Sequence, residues 1–185
     1  MTTQRNQPTC YLLGLGSNVK PRQNFPLIVL ELLELGQKLA LSRVIETEPV
    51  GIRSRNRFLN AAAALWTQLP PPELKRRCVA IEEKLGRDRT DPLRKLRDRP
   101  ADIDILFNVE TGTPHVPADK LPPEDYLRLP LLELLEYLGI STPEATPGLP
   151  AGVTLQIGEV SFGQTPATIY RDHRTGEIVV VQDRS

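Results

Sequence analysis

Ten residues in the middle of the chain, 58–67 (FLNAAAALWT), restrict the fold more than any other stretch. Apart from Asn60 and the terminal Thr67 they are apolar, so they belong inside a folded core. Their alanines favour a helix, but a ten-residue length between irregular flanks suits a central β-strand. Other strands and covering helices must then come from the rest of the chain. Residues 10–15 form a short apolar run ended by Gly16-Ser17-Asn18, which reads as a buried strand and a turn. Residues 25–39 carry a helical stripe of Leu27, Ile28, Leu30, Leu32, Leu33 and Leu35, with Asn24 as N-cap and Gly36 at the fraying end. Residues 41–47 read as one strand, closed by Glu48-Pro49 and Gly51, and residues 52–57 as a loop with three arginines. Pro70-Pro71-Pro72 opens a second helix striped by Leu74, Cys78, Ile81 and Leu85 and ended by Gly86. Residues 101–107 (ADIDILF) alternate with the two-residue period of a strand.

The order β-α-β-β-α-β predicts an α+β sandwich of ferredoxin-like type. Residues 108–123 hold four prolines and read as irregular; residues 126–138 contain a short helix after Pro130. From Gly139 on, β-type stretches are expected at 153–157, 168–170 and 178–181, with a turn at 173–176. The expected organisation is an α+β domain over 1–140 and a C-terminal extension over 141–185, a β-hairpin packed on that domain or extending it.

Charge and cysteine usage narrow the function classes. Twenty-three basic residues balance 23 acidic ones, so no global field draws the chain to nucleic acid or to a membrane. Cys10 and Cys78 lack CxxC spacing and read as reduced, buried thiols. The first nine residues are polar and no run approaches the length of a membrane span, so a cytoplasmic protein is expected.

Asp102 and Asp104 are the strongest chemical signal. Two apart on a strand, their carboxylates leave one face about 7 Å apart, while Ile103 and Ile105 leave the other. That is bridging range for one or two hard cations such as Mg²⁺, although an ordinary solvated strand face has the same pattern. Residues 87–99 supply six basic and three acidic residues directly before it, including Arg87, Arg89 and Arg99. Phosphoryl-type transfer needs positioned positive charge as well as a metal clamp. Asn60 shares a strand face with Phe58, Ala62, Ala64 and Trp66; its carboxamide either caps backbone locally or reads the edge of a heterocycle stacked on Phe58. Thr47 and the following turn could present groups to the same ligand. Gly14-Leu15-Gly16 is not a dinucleotide fingerprint, no P-loop motif occurs, and His115 and His173 have no metal-ligand spacing.

With these residues in view, the chain resembles the 6-hydroxymethyl-7,8-dihydropterin pyrophosphokinase family of folate biosynthesis. The resemblance rests on Gly14-Leu15-Gly16-Ser17-Asn18, Ser42 with Thr47-Glu48-Pro49-Val50-Gly51, Phe58-Leu59-Asn60-Ala61-Ala62 with Thr67 and Pro72, residues 81–89, and Arg99-Pro100-Ala101-Asp102-Ile103-Asp104-Ile105-Leu106. It implies a ferredoxin-like fold and Mg²⁺-dependent transfer of diphosphate from ATP to the pterin hydroxymethyl group, releasing AMP. By position, Asp102 and Asp104 hold two Mg²⁺ ions, and Arg87 and Arg99 neutralise the transferring group. Thr47, Val50, Phe58, Asn60 and Tyr126 bind the pterin, while Glu82 and Arg89 lie at the nucleotide end. Partners are then small molecules, with no nucleic acid or membrane, and the protein a monomer or weak homodimer. The chain departs from the family pattern at Arg97-Asp98, where Gly-Pro is usual, at Val79 in place of a glutamine, and at Ala118 and Glu124 in place of a histidine and an arginine. The last two motivate an alternative, a pterin- or nucleotide-binding relative with weak or no turnover. An RNA-binding module shares the element order, but the central strands lack the glycine-aromatic signature it needs.

Overall fold

The computed structural model describes residues 7–110, 112–146 and 148–182; most of the polar start lies outside these. Strands β1 (Thr9–Ser17), β2 (Lys38–Leu41), β3 (Ile45–Thr47), β4 (Phe58–Thr67), β5 (Asp102–Val109), β8 (Ala167–Arg171) and β9 (Ile178–Val181) form one antiparallel sheet. The order is β5-β1-β4-β2-β8-β9, with β3 also pairing to β4. Helices α1 (Pro21–Leu33) and α2 (Pro71–Lys84) pack on one face through Phe25, Ile28, Leu32, Leu74, Cys78 and Ile81. Helix α3 (Asp125–Tyr137) packs on the other through Leu131, Leu134 and Leu135. A separate hairpin of β6 (Leu155–Ile157) and β7 (Val160–Phe162) joins the first core.

Two covered faces account for the composition of β4. Leu59, Ala61, Ala63 and Leu65 enter the α1/α2 core while Ala62 and Ala64 enter the α3 core, so both parities are apolar. The fold is thus mixed α/β with an antiparallel sheet and three α-helices among the described residues.

Four local expectations are corrected. Helix α1 begins at Pro21, not Phe25, with Lys20 at its N-cap in the left-handed region (φ 42°); the Asn24 side chain instead donates to the Val19 carbonyl at 2.6 Å. The single strand read over 41–47 is broken. Leu41 pairs with Ala63 but Ile45 with Asn60, so four steps oppose three, and the Ser42 hydroxyl accepts the Ala62 N–H at 3.0 Å. Helix α3 runs through Pro130, starting five residues before it, and forgoes the bond that the Tyr126 carbonyl would otherwise accept. The stretch around 153–157 turns at Gly158 (φ 58°) into β7, a strand the sequence pattern did not suggest. In the C-terminal segment, β8 pairs with β2 and the chain returns as β9 through a turn at 172–176.

No described helix is long and apolar enough to cross a membrane. Both cysteines are free and buried, and burial pushes the Cys10 thiol up to about 12 and the Cys78 thiol up to about 11. At pH 8 both are protonated in the folded protein, so iodoacetamide is expected to label neither until denaturant is added. Intact-mass measurement checks this; modification of the native protein would contradict the burial.

Candidate active site

The alternation of β5 sends Ile103 into the α1/α2 core and Asp102 and Asp104 to the α3 side. Each acid faces a glycine of β1: Asp102 pairs with Gly16 and Asp104 with Gly14. On its other flank Gly16 pairs with Asn60 of β4. Asn60, Gly16 and Asp102 therefore form one row across three strands. A side chain at Gly16 would start 3.0 Å from Asn60 Oδ1, 3.7 Å from Asp102 Cβ and 3.8 Å from Phe58, so the glycine leaves the floor of the site open.

Asp102 is mostly buried (its side chain 14% exposed) and is met by two guanidinium groups. Arg87 Nη1 donates to its Oδ1 at 2.5 Å, and Arg99 Nη1 donates to its Oδ2. Asp104 is exposed as a residue, yet protein packed around its carboxyl raises its pKa, and the Asp102 charge adds to the rise. Among the described residues the Nε–H groups of Arg87, Arg89, Arg99 and Arg128 are buried without a hydrogen-bond partner.

Arg87 lies just beyond α2, its N–H donating to the Glu82 carbonyl at 2.9 Å, and reaches from there to Asp102 on β5, the edge strand. Glu82 is 1% exposed; it accepts from Arg87 Nη1 at 2.9 Å, from Arg89 Nη2 and from the Ile103 backbone N–H at 2.8 Å. A carboxylate so enclosed is tolerated because charged donors surround it, and it anchors both arginines. Its role as an anchor is not what sequence reasoning suggested; only its place in the apolar stripe of α2, beside Ile81, hinted at burial.

A cleft opens beside Asp102. Thr47, Glu48, Val50, Ile52, Phe58, Asn60, Arg99, Asp102 and Tyr126 line it. Asn60 Nδ2 donates to Thr47 Oγ1 at 2.7 Å, holding the carboxamide in the cleft wall. Phe58 is the first residue of β4, and Tyr126 lies in the first turn of α3, its phenol pKa raised by burial and then by Glu124. Val50, 65% exposed, stands on the loop beyond β3. All five pterin-side residues expected from the resemblance line this one cleft with Arg99 and Asp102. Asp104, Arg87, Arg89 and Glu82 do not line it; Arg87 bonds Asp102, Arg89 and Glu82 bond each other, and Asp104 stands two residues along β5. Glu48 and Ile52 were missed, although Ile52 is the one apolar residue of its loop. Ala118 sits in an exposed 3-10 turn, and His115 is tied to Ser141 at 3.2 Å.

Among the described residues no group of three His, Cys, Asp or Glu could cage a metal. Two carboxylates on one strand face nevertheless suit Mg²⁺, which takes few protein ligands and completes its shell with water and phosphate; at Asp102 the cation would compete with the two guanidinium groups that hold its oxygens.

A family model described as 7,8-dihydro-6-hydroxymethylpterin-pyrophosphokinase matches residues 12–136. The 2-amino-4-hydroxy-6-hydroxymethyldihydropteridine pyrophosphokinase of Porphyromonas gingivalis is 37% identical over 144 residues, covering 74% of this chain and 97% of the relative. The protein of the same name from Bacillus subtilis is 32% identical over 133 residues, covering 68% of this chain and 78% of the relative. The mitochondrial folate synthesis bifunctional protein of Pisum sativum is 34% identical over 134 residues, covering 67% of this chain and 25% of that longer protein.

Proposed function

The chain belongs to the 7,8-dihydro-6-hydroxymethylpterin-pyrophosphokinase family, and from that premise we propose that it uses ATP and Mg²⁺ to diphosphorylate 6-hydroxymethyl-7,8-dihydropterin. Pyrophosphokinase activity in folate synthesis follows from the membership; the site assignments are our own reading. The hydroxymethyl oxygen attacks the β-phosphorus of ATP, the bond from that phosphorus to the α,β-bridging oxygen breaks, AMP leaves, and the hydroxyl proton passes to solvent. The observation that carries this reading is the single cleft in which Asn60, Thr47, Phe58 and Tyr126 meet Asp102 and Arg99.

In this reading Phe58 and Tyr126 stack on the two faces of the heterocycle, and Asn60, Thr47 and the Val50 backbone read its edge. Asp102 and Asp104 hold the metal, two ions in our assignment; magnesium, when bound, neutralises triphosphate oxygens and aligns the β-phosphorus. Arg99 and Arg87, which meet at Asp102, stabilise the charge that develops during transfer. Arg89 and Glu82 serve the nucleotide end, Glu82 by holding Arg87 and Arg89 in place. We read the order β5-β1-β4-β2 as the ferredoxin-like core over 1–140, and 141–185 as an extension of its sheet. A cytoplasmic monomer or weak homodimer, acting on small molecules without nucleic acid or membrane, completes the proposal.

AMP release from ATP, Mg²⁺ and hydroxymethyldihydropterin, followed by chromatography, tests the function. AMP formation dependent on all three is expected. Pterin binding without AMP would instead favour the binding relative, for which Glu124 speaks: at the N-cap of α3 it brings a negative charge next to Tyr126 and the cleft.

A further inference from the structure

Residues 87–99 run mostly as exposed turns, but their C-terminal end is fastened. The first two of their three acidic side chains are occupied locally. Asp88 accepts from the Thr90 N–H and hydroxyl, and Asp91 from the Leu93 N–H and Arg97 Nε. Asp98 bonds outside the segment. Its Oδ1 accepts from Asn18 Nδ2 at 2.7 Å and its Oδ2 from Asn56 Nδ2 at 2.7 Å. Asn18 is buried in the turn after β1; its Oδ1 accepts the Arg99 N–H at 2.6 Å, and its own N–H donates to the Arg99 carbonyl at 3.0 Å. Asn56 belongs to the loop that carries Val50 and Ile52 along the cleft, and its N–H is held by the Ser54 hydroxyl at 3.0 Å. The two oxygens of one carboxylate thus join the cleft-lining loop to the turn that grips the Arg99 backbone, at 2.7 Å on each side. Asn18 Nδ2 itself reaches that loop only through the longer contacts to the Asn56 carbonyl (3.4 Å) and the Ser54 hydroxyl (3.5 Å).

We propose that Asp98 is a positioning residue that couples the loop over 48–57 to Arg99, so that the order of the first sets where the second aims its guanidinium. The inference rests on the pyrophosphokinase reading above and goes beyond it, because Asp98 itself touches neither Asp102 nor the cleft wall. Bidentate acceptance from two side-chain amides on different segments is the geometry such a coupling needs. Bonds to a charged acceptor are stronger than neutral ones and directional, and small misplacements of a group that stabilises a transition state are costly. Asn18 keeps its two backbone bonds to Arg99 when Asp98 is removed, so the loss falls on aim and coupling while Arg99 stays in place.

The test is a mutant cycle on AMP release. Asp98→Ala is expected to lower kcat roughly tenfold to a hundredfold, with the thermal melting midpoint close to that of the parent. Asn56→Ala, which leaves the Asp98–Asn18 bond in place, is expected to lower kcat in the same direction, and the double variant to be no worse than Asp98→Ala alone. In an Arg99→Ala background Asp98→Ala is expected to change kcat little, since its effect runs through Arg99. An active parent whose kcat is unmoved by both single substitutions overturns the proposal. So does a penalty for Asp98→Ala that is undiminished in the Arg99→Ala background. A parent that releases no AMP overturns the functional reading, and the coupling falls with it. Should Asp98→Ala not fold, the Asn56→Ala and Asn56→Ala/Arg99→Ala pair decides by the same comparison.

Discussion

Replacing Asp102 by alanine is expected to abolish AMP release, lowering kcat roughly a thousandfold or more, because metal ligation contributes several kcal/mol of charge stabilisation to such a transfer. The same carboxylate is where Arg87 and Arg99 converge, so its loss also frees Arg99 from its ionic partner and leaves Arg87 held by Glu82 and the Ala101 carbonyl. Asp102→Asn separates the two effects. The amide keeps the volume of the side chain and one acceptor oxygen but gives up the charge that binds a hard cation. If it folds with the parent melting midpoint, turns over no faster than the alanine variant and has lost Mg²⁺ binding in a direct titration with an ATP analogue present, the metal assignment stands. Turnover within a fewfold of the parent in Asp102→Asn would leave Asp102 a purely structural anchor for two arginines.

Arg99→Ala is expected to lower kcat roughly a hundred- to a thousandfold, the range seen when one donor to a developing charge is removed, while the KM for the pterin changes much less. The split follows from geometry. Arg99 lines the cleft beside Asp102, at the acidic end, whereas Thr47 and Asn60 form their own hydrogen-bonded pair in the wall. An interaction made chiefly in the transition state appears in kcat, and one made equally in ground and transition states appears in KM. Steady-state kinetics with each substrate varied in turn measures both. Equal losses in kcat and in pterin affinity would mark Arg99 as a wall of the cleft and remove it from the transferring group.

Much of this site was readable before any coordinates, for a physical reason. The strand face bearing Asp102 and Asp104 follows from a period of two, which the backbone fixes whatever the partners. Likewise Asn60 stands out because a carboxamide in an apolar strand must have a use. What escaped notice is set by contacts that no local pattern carries: Glu82 was expected at the site, but not as the anchor of two arginines. Glu82 looks like any polar position on a helix until Arg87, Arg89 and the Ile103 N–H enclose it. Asp98 looks like one more charge in a solvated loop, since its partners Asn18 and Asn56 are remote in sequence. At the break between β2 and β3 the Ala62 N–H donates to the Ser42 hydroxyl and the Ser42 N–H to the Ala62 carbonyl, a lateral pairing that leaves no trace in hydrophobic periodicity. The full length of α3 was hidden by Pro130, because a proline usually marks a helix start and here lies inside one, in a helix whose packing on β4 outweighs one missing bond.

The row Asn60–Gly16–Asp102 also has a metric meaning. Its ends sit on strands two ladder spacings apart, a backbone separation of about 10 Å that no rotamer can alter. If Asn60 and Asp102 hold heterocycle and cation as proposed, this separation is a built-in gauge between the two, stiff because main-chain bonds hold it. A substrate with a one-carbon arm spans that gauge with its oxygen at the phosphorus; an arm lengthened by further methylenes would overshoot, however well its rings were gripped.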